Sequence, residues 1–243
     1  MISLRPQGGH AGLRAAATRH GARLLALSPW KLVACDGLQA RAELRAALGA
    51  SRVVFTSPAA VRFAARLANL QRKRGQVFLA VGAATATALR RAGVDAVVSP
   101  KRMDSEGLLA LPELQRLRGL DVGLVTAPDG RDLLAPTLRR RGARLLRADV
   151  YQRVAVAVAP AALRRLASLD APACIALSSG AALDAVLSAL PPTLRARLLR
   201  FPVVAASERL VRHAQAAGFR DVRLAAGPRP AQLLHAAQAS PRC

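Results

Sequence analysis

Short apolar runs of three to five residues alternate along the 243-residue chain with longer stretches whose apolar positions recur at helical spacing. The runs at 2–5, 23–27, 53–56, 77–81, 96–98 and 122–125 predict strands in the first part of the chain. Those at 173–177, 203–206 and 221–225 do so in the second. Between them, residues 11–20, 38–48, 59–72, 84–91, 105–117 and 131–141 predict helices, followed by 161–169, 181–190, 193–199, 210–217 and 230–238. The strands end in small or turn residues: Gly8-Gly9, Ser57-Pro58, Ala127-Pro128-Asp129-Gly130 and Ser178-Ser179-Gly180. Strict alternation of short strands with helices implies an α/β chain with open, mostly parallel sheets covered on both faces.

The pattern also repeats. Gly21-Ala22-Arg23-Leu24-Leu25 recurs as Gly142-Ala143-Arg144-Leu145-Leu146, about half the chain away, which sets Trp30 opposite Tyr151, the one tyrosine. Phe55-Thr56-Ser57-Pro58-Ala59-Ala60-Val61 matches Leu177-Ser178-Ser179-Gly180-Ala181-Ala182-Leu183. Val81-Gly82-Ala83 matches Ala206-Ser207-Glu208, and Ser105-Glu106-Gly107-Leu108-Leu109 matches Pro230-Ala231-Gln232-Leu233-Leu234. The chain is a duplication, and the repeat by itself suggests two contiguous halves with hinges at Asp121 and at 155–160. Tyr151 reads as the end of a strand, and Arg72-Lys73-Arg74-Gly75 as a solvated helix end.

Composition narrows the class. No apolar run approaches the roughly 18 residues of a membrane span, and the N-terminus carries no signal-peptide pattern. Cys35, Cys174 and Cys243 are isolated, which suits a reducing cytoplasm and gives neither a disulfide framework nor a metal pair. The formal net charge is +23, nearly all arginine, since Lys31, Lys73 and Lys101 are the only lysines. Coding bias in an alanine-rich chain is the first reading of that surplus, and attraction of an anionic small molecule the second. Nucleic acid ranks last, because no aromatic pairs are interleaved with the arginines.

In a doubly wound sheet the strand-end turns share the carboxyl edge, where ligands bind. Free N–H groups at the helix starts can receive carboxylate or phosphate there, and hydroxyls add donors. Thr56, Ser57, Pro58, Gly82 and Thr85 fall at such places in one copy, and Ser178, Ser179, Gly180 and Ser207 in the other. Each serine can equally be a plain helix cap, and recurrence in both copies favours binding. Ser105 and Glu106 open a further helix. His10, His20, His213 and His235 lack metal spacing and read as surface or capping residues, while Asp129 and Asp132 read as turn residues. Nucleophile-elbow, Walker-loop, dinucleotide-fingerprint and paired-carboxylate patterns are all absent, which removes the main support for hydrolase, kinase and dehydrogenase readings.

Taken in order, these segments resemble the uroporphyrinogen-III synthase family of the bacterial type. The resemblance rests on Phe55-Thr56-Ser57-Pro58 with Ala60-Val61-Arg62-Phe63, then on Ala80-Val81-Gly82 with Thr85-Ala86, and on Ser105-Glu106-Gly107-Leu108-Leu109. Gly130-Arg131-Asp132-Leu133-Leu134, Arg141-Gly142-Ala143 and Val150-Tyr151-Gln152-Arg153 complete it. It implies two similar doubly wound parallel-sheet domains joined by a two-stranded connection, with a cleft between them. Residues 1–33 with 155–243 would form the first domain and 34–154 the second. It also implies a cofactor-independent, metal-free, monomeric cytoplasmic enzyme of porphyrin and heme biosynthesis. Its substrate would be hydroxymethylbilane, a linear tetrapyrrole with eight carboxylates.

On that resemblance Tyr151 assists departure of the substrate hydroxyl. The strand-end residues above bind the substrate, together with Arg5, Ser105, Glu106, Gly130, Arg131 and Arg209. A non-catalytic two-domain α/β module that binds an anionic small molecule is the alternative, and a basic nucleic-acid binder the third reading.

Overall fold

The computed structural model describes residues 1–128 and 133–238. In chain order the elements are β1 (Ile2–Ser3), α1 (Ala11–Arg19), β2 (Leu25–Ala26), β3 (Trp30–Ala34), α2 (Leu38–Gly49), β4 (Arg52–Phe55), α3 (Pro58–Leu67), β5 (Val77–Ala80) and α4 (Ala83–Arg91). Next come β6 (Val97–Val98), α5 (Ser105–Leu109), a 3₁₀ turn (Pro112–Leu114), β7 (Asp121–Thr126), α6 (Leu134–Arg140), β8 (Arg144–Asp149) and β9 (Tyr151–Ala155). The chain ends with α7 (Pro160–Ala167), β10 (Ile175–Leu177), α8 (Gly180–Ala189), α9 (Pro192–Leu198), β11 (Val203–Ala205), α10 (Glu208–Ala216), β12 (Val222–Leu224) and α11 (Pro230–Gln238).

Two compact units result: Met1–Leu32 with Val154–Cys243, and Val33–Arg153. Each carries one five-stranded sheet, in the order β12-β11-β10-β1-β2 in the first unit and β6-β5-β4-β7-β8 in the second. Every pairing within these sheets is parallel. The remaining pair, β3 with β9, forms a two-stranded ribbon. Its chains run oppositely, since Cys35 N–H bonds the Val150 carbonyl at one end and Val156 N–H bonds the Pro29 carbonyl at the other.

Contiguous halves, and a hinge at Asp121, are therefore wrong. Asp121 opens β7 inside the second unit's sheet, in register with Arg144, and the two side chains form an ion pair that holds the Asp121 carboxyl below its usual range. The repeat is nevertheless real, because β10, β11, β12, β1 and β2 occupy the places of β4, β5, β6, β7 and β8. The first copy is simply split across the chain ends.

Side chains alternate between faces along each strand. In the first unit Ile175, Leu177, Val203 and Ala205 meet Leu166, Leu183, Val186, Leu198 and Leu210 of α7–α10. The intervening Cys174, Ala176 and Val204 meet Leu13, Ala17, Leu233 and Leu234 of α1 and α11. In the second unit Val54, Leu79, Val122 and Leu124 pack with Leu108, Leu114 and Leu138, while Phe55 and Phe78 stack with ring centroids 5.9 Å apart. Helices on both faces make each unit doubly wound.

Several predicted lengths shrink. The helix expected over 105–117 is α5 followed by the 3₁₀ turn, because Pro112 cannot continue a helix. The helix expected over 59–72 ends at Leu67, so the basic run at 72–74 lies in the following loop rather than at a helix end, and Arg72 bonds the Gln76 carbonyl. The helix expected over 131–141 is α6, whose expected first residues Arg131 and Asp132 lie outside the described residues. Tyr151 begins β9 instead of ending the preceding strand.

Gly123 in β7 marks the tightest helix-on-sheet contact: a Cβ there would lie 2.0 Å from the Ala47 carbonyl oxygen of α2. Gly123→Ala must push α2 off the sheet, and we expect a loss of about 1–3 kcal/mol or more in chemical denaturation, as for overpacked cores. Wild-type stability in that variant would mean that α2 yields freely.

Candidate functional site

Each sheet has one place where the strand order reverses, and ligands of doubly wound folds bind outside the carboxyl ends there. In the second unit the reversal falls between β4 and β7, since β5 and β6 extend one way and β8 the other. Thr56, just past β4, donates its hydroxyl to Thr126 Oγ1 at the end of β7, 2.9 Å away. Ser57 caps α3 by accepting from Ala60 N–H at 3.0 Å, and its Oγ lies 3.2 Å from the Tyr151 hydroxyl. The Tyr151 ring is buried and stacks on Phe63 of α3, centroids 5.2 Å apart, while the Arg66 guanidinium covers Phe63 at 5.7 Å. Pro58 is the first residue of α3, where its missing N–H costs nothing.

The remaining predicted residues of this unit scatter more widely. Gly82 precedes α4 with extended backbone, and a Cβ there would touch Met103 Cβ at 3.0 Å. Thr85 is buried inside the first turn of α4. Ser105 is the buried first residue of α5, whose cap is instead Asp104, accepting from Gly107 N–H at 2.8 Å. Glu106 pairs with Arg102 at 3.7 Å. Gly130 and Arg131, like Asp129 and Asp132, lie outside the described residues.

In the first unit the reversal falls between β10 and β1. Ser179 caps α8 through Ala182 N–H at 3.3 Å, as Ser57 caps α3, and Ser178 beside it is exposed. Gly180 lets the His213 ring lie against the start of α8, since a Cβ would meet that ring at 3.1–3.2 Å. Ser207 sits at the N-cap of α10 without a side-chain capping bond, so its hydroxyl is not spent on the helix. Arg209 is exposed on the first turn of α10. Arg5 follows β1, partly buried, and burial pulls its pKa below the ordinary value.

His213 keeps to the surface reading and bonds the exposed Asp184 at 2.8 Å, whereas His10 departs from it. His10 is only 8 % exposed, with Nδ1 2.9 Å from Ser3 Oγ and Nε2 2.8 Å from Ser28 Oγ. It stands at the N-cap of α1 without capping it. Thr126, Phe63, Ser3 and Ser28 are partners that sequence reasoning did not single out as functional.

A family model described as uroporphyrinogen-III synthase HemD matches residues 12–235. The chain belongs to the uroporphyrinogen-III synthase family. The uroporphyrinogen-III synthase of Escherichia coli (strain K12) is 32 % identical over 203 residues, covering 81 % of this chain and 82 % of that protein. A mutant uroporphyrinogen-III synthase from the extreme thermophile Thermus thermophilus shares the fold, with a TM-score of 0.64 at 20 % identity and 98 % of each chain covered. The synthetase from Helicobacter pylori 26695 does so with a TM-score of 0.64 at 13 % identity, covering 98 % of this chain and 97 % of its own.

Within this family member the described residues hold no cluster of histidine, cysteine and carboxylate able to bind a metal. They include no helix long and apolar enough to cross a membrane. What the two carboxyl edges offer are hydroxyls, helix N–H groups and arginine, a donor set suited to carboxylates.

His10 supplies a pH test. Burial first, then Arg14 and Arg5, lowers its pKa. The unfolded chain therefore binds a proton at higher pH than the folded one. The stability present above the unfolded value of about 6.5 is lost as pH falls toward the depressed folded value. We expect the melting temperature to drop between neutral pH and the onset of carboxylate titration, and His10→Gln to flatten that slope. An equal slope in both proteins would show that His10 protonates in the fold without penalty.

Proposed function

We propose that this chain is a uroporphyrinogen-III synthase that closes hydroxymethylbilane with inversion of ring D and loss of water. Membership of the family supports the reaction, and the Tyr151–Ser57 pair at the reversal point of the second sheet is the observation that carries the chemistry. A linear tetrapyrrole of this kind needs no cofactor to cyclise. Its pyrrole nitrogen supplies the electrons that expel the terminal hydroxyl, and a proton must reach that oxygen as water leaves. The resulting azafulvene is attacked by the substituted carbon of ring D. The spiro intermediate fragments and recloses with the ring inverted, and the enzyme's task is to favour this path over direct head-to-tail closure.

Tyr151 is the proton donor in this reading. A phenol with a reference pKa of about 10 is un-ionised at neutral pH and can serve as a general acid. Ser57 has already accepted from Ala60 N–H and retains its own proton. Donating that proton to the phenol oxygen leaves the Tyr151 O–H free for the leaving hydroxyl and stabilises the phenolate that forms. Phe63 fixes the ring, so the hydroxyl is held with little freedom to turn away. Carboxylate binding falls to the Ser178, Ser179 and Ser207 hydroxyls, to Arg5 and Arg209, and to the N–H groups of the helix start that follows Thr56 and Ser57, whose own hydroxyl protons are engaged, several modest contacts rather than one strong one.

Tyr151→Phe should lower kcat about 10²-fold or less, because the leaving reaction has its own electron supply, and the product should remain mostly type III. Wild-type turnover would reduce the tyrosine to packing. Isomer analysis after oxidation of the product separates the readings: type III from the wild type supports the enzyme, and type I alone leaves a non-catalytic anion-binding module.

The surplus charge gives a second test. If the +23 net charge draws in the polycarboxylate, kcat/KM should fall as salt rises toward physiological strength, where the screening length is about 8 Å. A flat profile would return the charge to coding bias.

A further inference from the structure

The first unit contains a buried polar chain, Ser3–His10–Ser28, that takes no part in the proton transfer. Ser3 lies in β1 in register with Ala176, and both face the layer of α1 and α11, where every neighbouring strand position is apolar. Its side chain is wholly buried and bonds His10 Nδ1 at 2.9 Å. The other ring nitrogen reaches Ser28 Oγ at 2.8 Å, and Ser28 is only partly buried, just past β2 at the carboxyl edge. One imidazole thus carries a fixed orientation from the core to a hydroxyl at the rim.

The polarity of this chain follows from what each group can do. The Ser3 hydroxyl has Nδ1 as an acceptor at hand. When it donates there, the neutral ring carries its proton on Nε2, and that N–H donates to Ser28 Oγ. The Ser28 proton is then directed away from the ring, ready for an anion. Arg5 sits in the turn after β1, close enough for its charge to act on His10. The same turn is pinned to the strand connection by Gln7 N–H bonding the Trp30 carbonyl at 2.9 Å, and it closes on itself through Gly9 N–H and the Pro6 carbonyl at 2.8 Å. Arg5 has neither an ion pair nor a hydrogen bond among the described residues. A partly buried guanidinium left without a counter-charge is costly unless a ligand supplies one.

We infer that Ser28 and Arg5 form a carboxylate subsite in the first unit, and that His10 is the positioning residue that turns the Ser28 hydroxyl toward it. The inference rests on the synthase reading for its ligand, a propionate or acetate arm of the tetrapyrrole. Two-point recognition by a cation and a directed hydroxyl discriminates a carboxylate from a neutral substituent, which charge alone does not.

The test is a kinetic cycle on the full chain with hydroxymethylbilane. Ser28→Ala removes only the rim hydroxyl and should raise KM about three- to tenfold, with kcat within about twofold of wild type, since the arm is bound equally in ground and transition states. His10→Phe would strand the buried Ser3 hydroxyl, so it is made together with Ser3→Ala. That pair should raise KM by no more than Ser28→Ala does.

Combining all three changes should leave KM where Ser28→Ala alone puts it, because His10 acts only through Ser28. Thermal melts confirm that each variant is folded at the assay temperature. An unchanged KM in Ser28→Ala overturns the subsite, and multiplicative effects in the combined variant overturn the positioning role. If the wild type itself yields only type I product, the synthase reading falls and this inference falls with it. Type III product together with an indifferent Ser28→Ala removes the inference alone.

Discussion

The Ser57 hydroxyl does two things that constrain everything around it. It accepts the Ala60 N–H, which fixes where α3 begins, and it touches the Tyr151 hydroxyl, which fixes the first residue of β9 against the end of β4. Phe63, in the second turn of the same helix, then stacks on the tyrosine ring. Helix start, strand end and ring are therefore one rigid assembly. None of the three can shift without opening a capping bond, an aromatic stack or a hydroxyl pair. Loops alone rarely give this precision. It arises because a parallel sheet collects all its strand ends on one edge and starts its helices there, so that local capping and ligand-facing geometry use the same atoms.

The duplication lets the two edges be compared position by position. Val54 pairs with Leu124 and Ala176 pairs with Ser3, each one residue before the end of the central strand. Ser3 therefore stands where the second unit has the core residue Leu124, and Arg5 stands where it has Thr126. Each unit also ties down the turn that follows this strand, by different means. In the second unit Arg147 from β8 bonds the Ala127 and Pro128 carbonyls and pairs with Asp149 at 3.1 Å. In the first, the neutral His10–Ser28 bond and the Gln7–Trp30 backbone bond serve. One copy uses the rim charge on itself, while the other keeps its arginine unspent. The same fold thus yields one edge whose arginine is paired with a carboxylate and one whose arginine has no ion pair among the described residues.

Much of this is legible beforehand because it is written in short-range pattern. Period-two and period-3.6 apolar spacing sets out the order of elements, and Ser57 and Ser179 fall at helix starts because a hydroxyl before an apolar helix has a local reason to be there. Connectivity is less legible. A repeat read along the chain favours contiguous halves, whereas the pairing of β1 with β10 depends on residues more than 170 apart, which no local signal reports.

Side-chain partnerships are the least legible. Nothing in the sequence near Tyr151 names Ser57 or Phe63, and His10 looks like one more polar residue at a helix start. A signal does exist, since Ser3 interrupts an apolar strand, and a buried hydroxyl needs a partner. Asking which residue can satisfy Ser3 points to the loop that returns over β1, where His10 lies.

The basic surplus is mostly without acidic partners. Among the described residues Asp95, Asp104, Glu106, Asp121, Asp149, Asp170 and Asp221 each pair with an arginine, and Asp184 with His213. The chain has 14 acidic residues against 37 lysines and arginines, so most arginines must do without a protein carboxylate. For exposed arginines this matters little, since water and salt screen them and a surface pair contributes only about 0–1 kcal/mol.

Such residues carry no site information one by one, and their summed field serves any anion alike. Arg5 differs because it is partly desolvated, which is why its pKa is lowered by burial rather than raised by a partner. A partly desolvated cation with no ion pair among the described residues is a cost to the folded protein that a bound carboxylate would offset. Burial combined with the lack of a partner among the described residues, and not the net charge, is what singles Arg5 out from the compositional arginines.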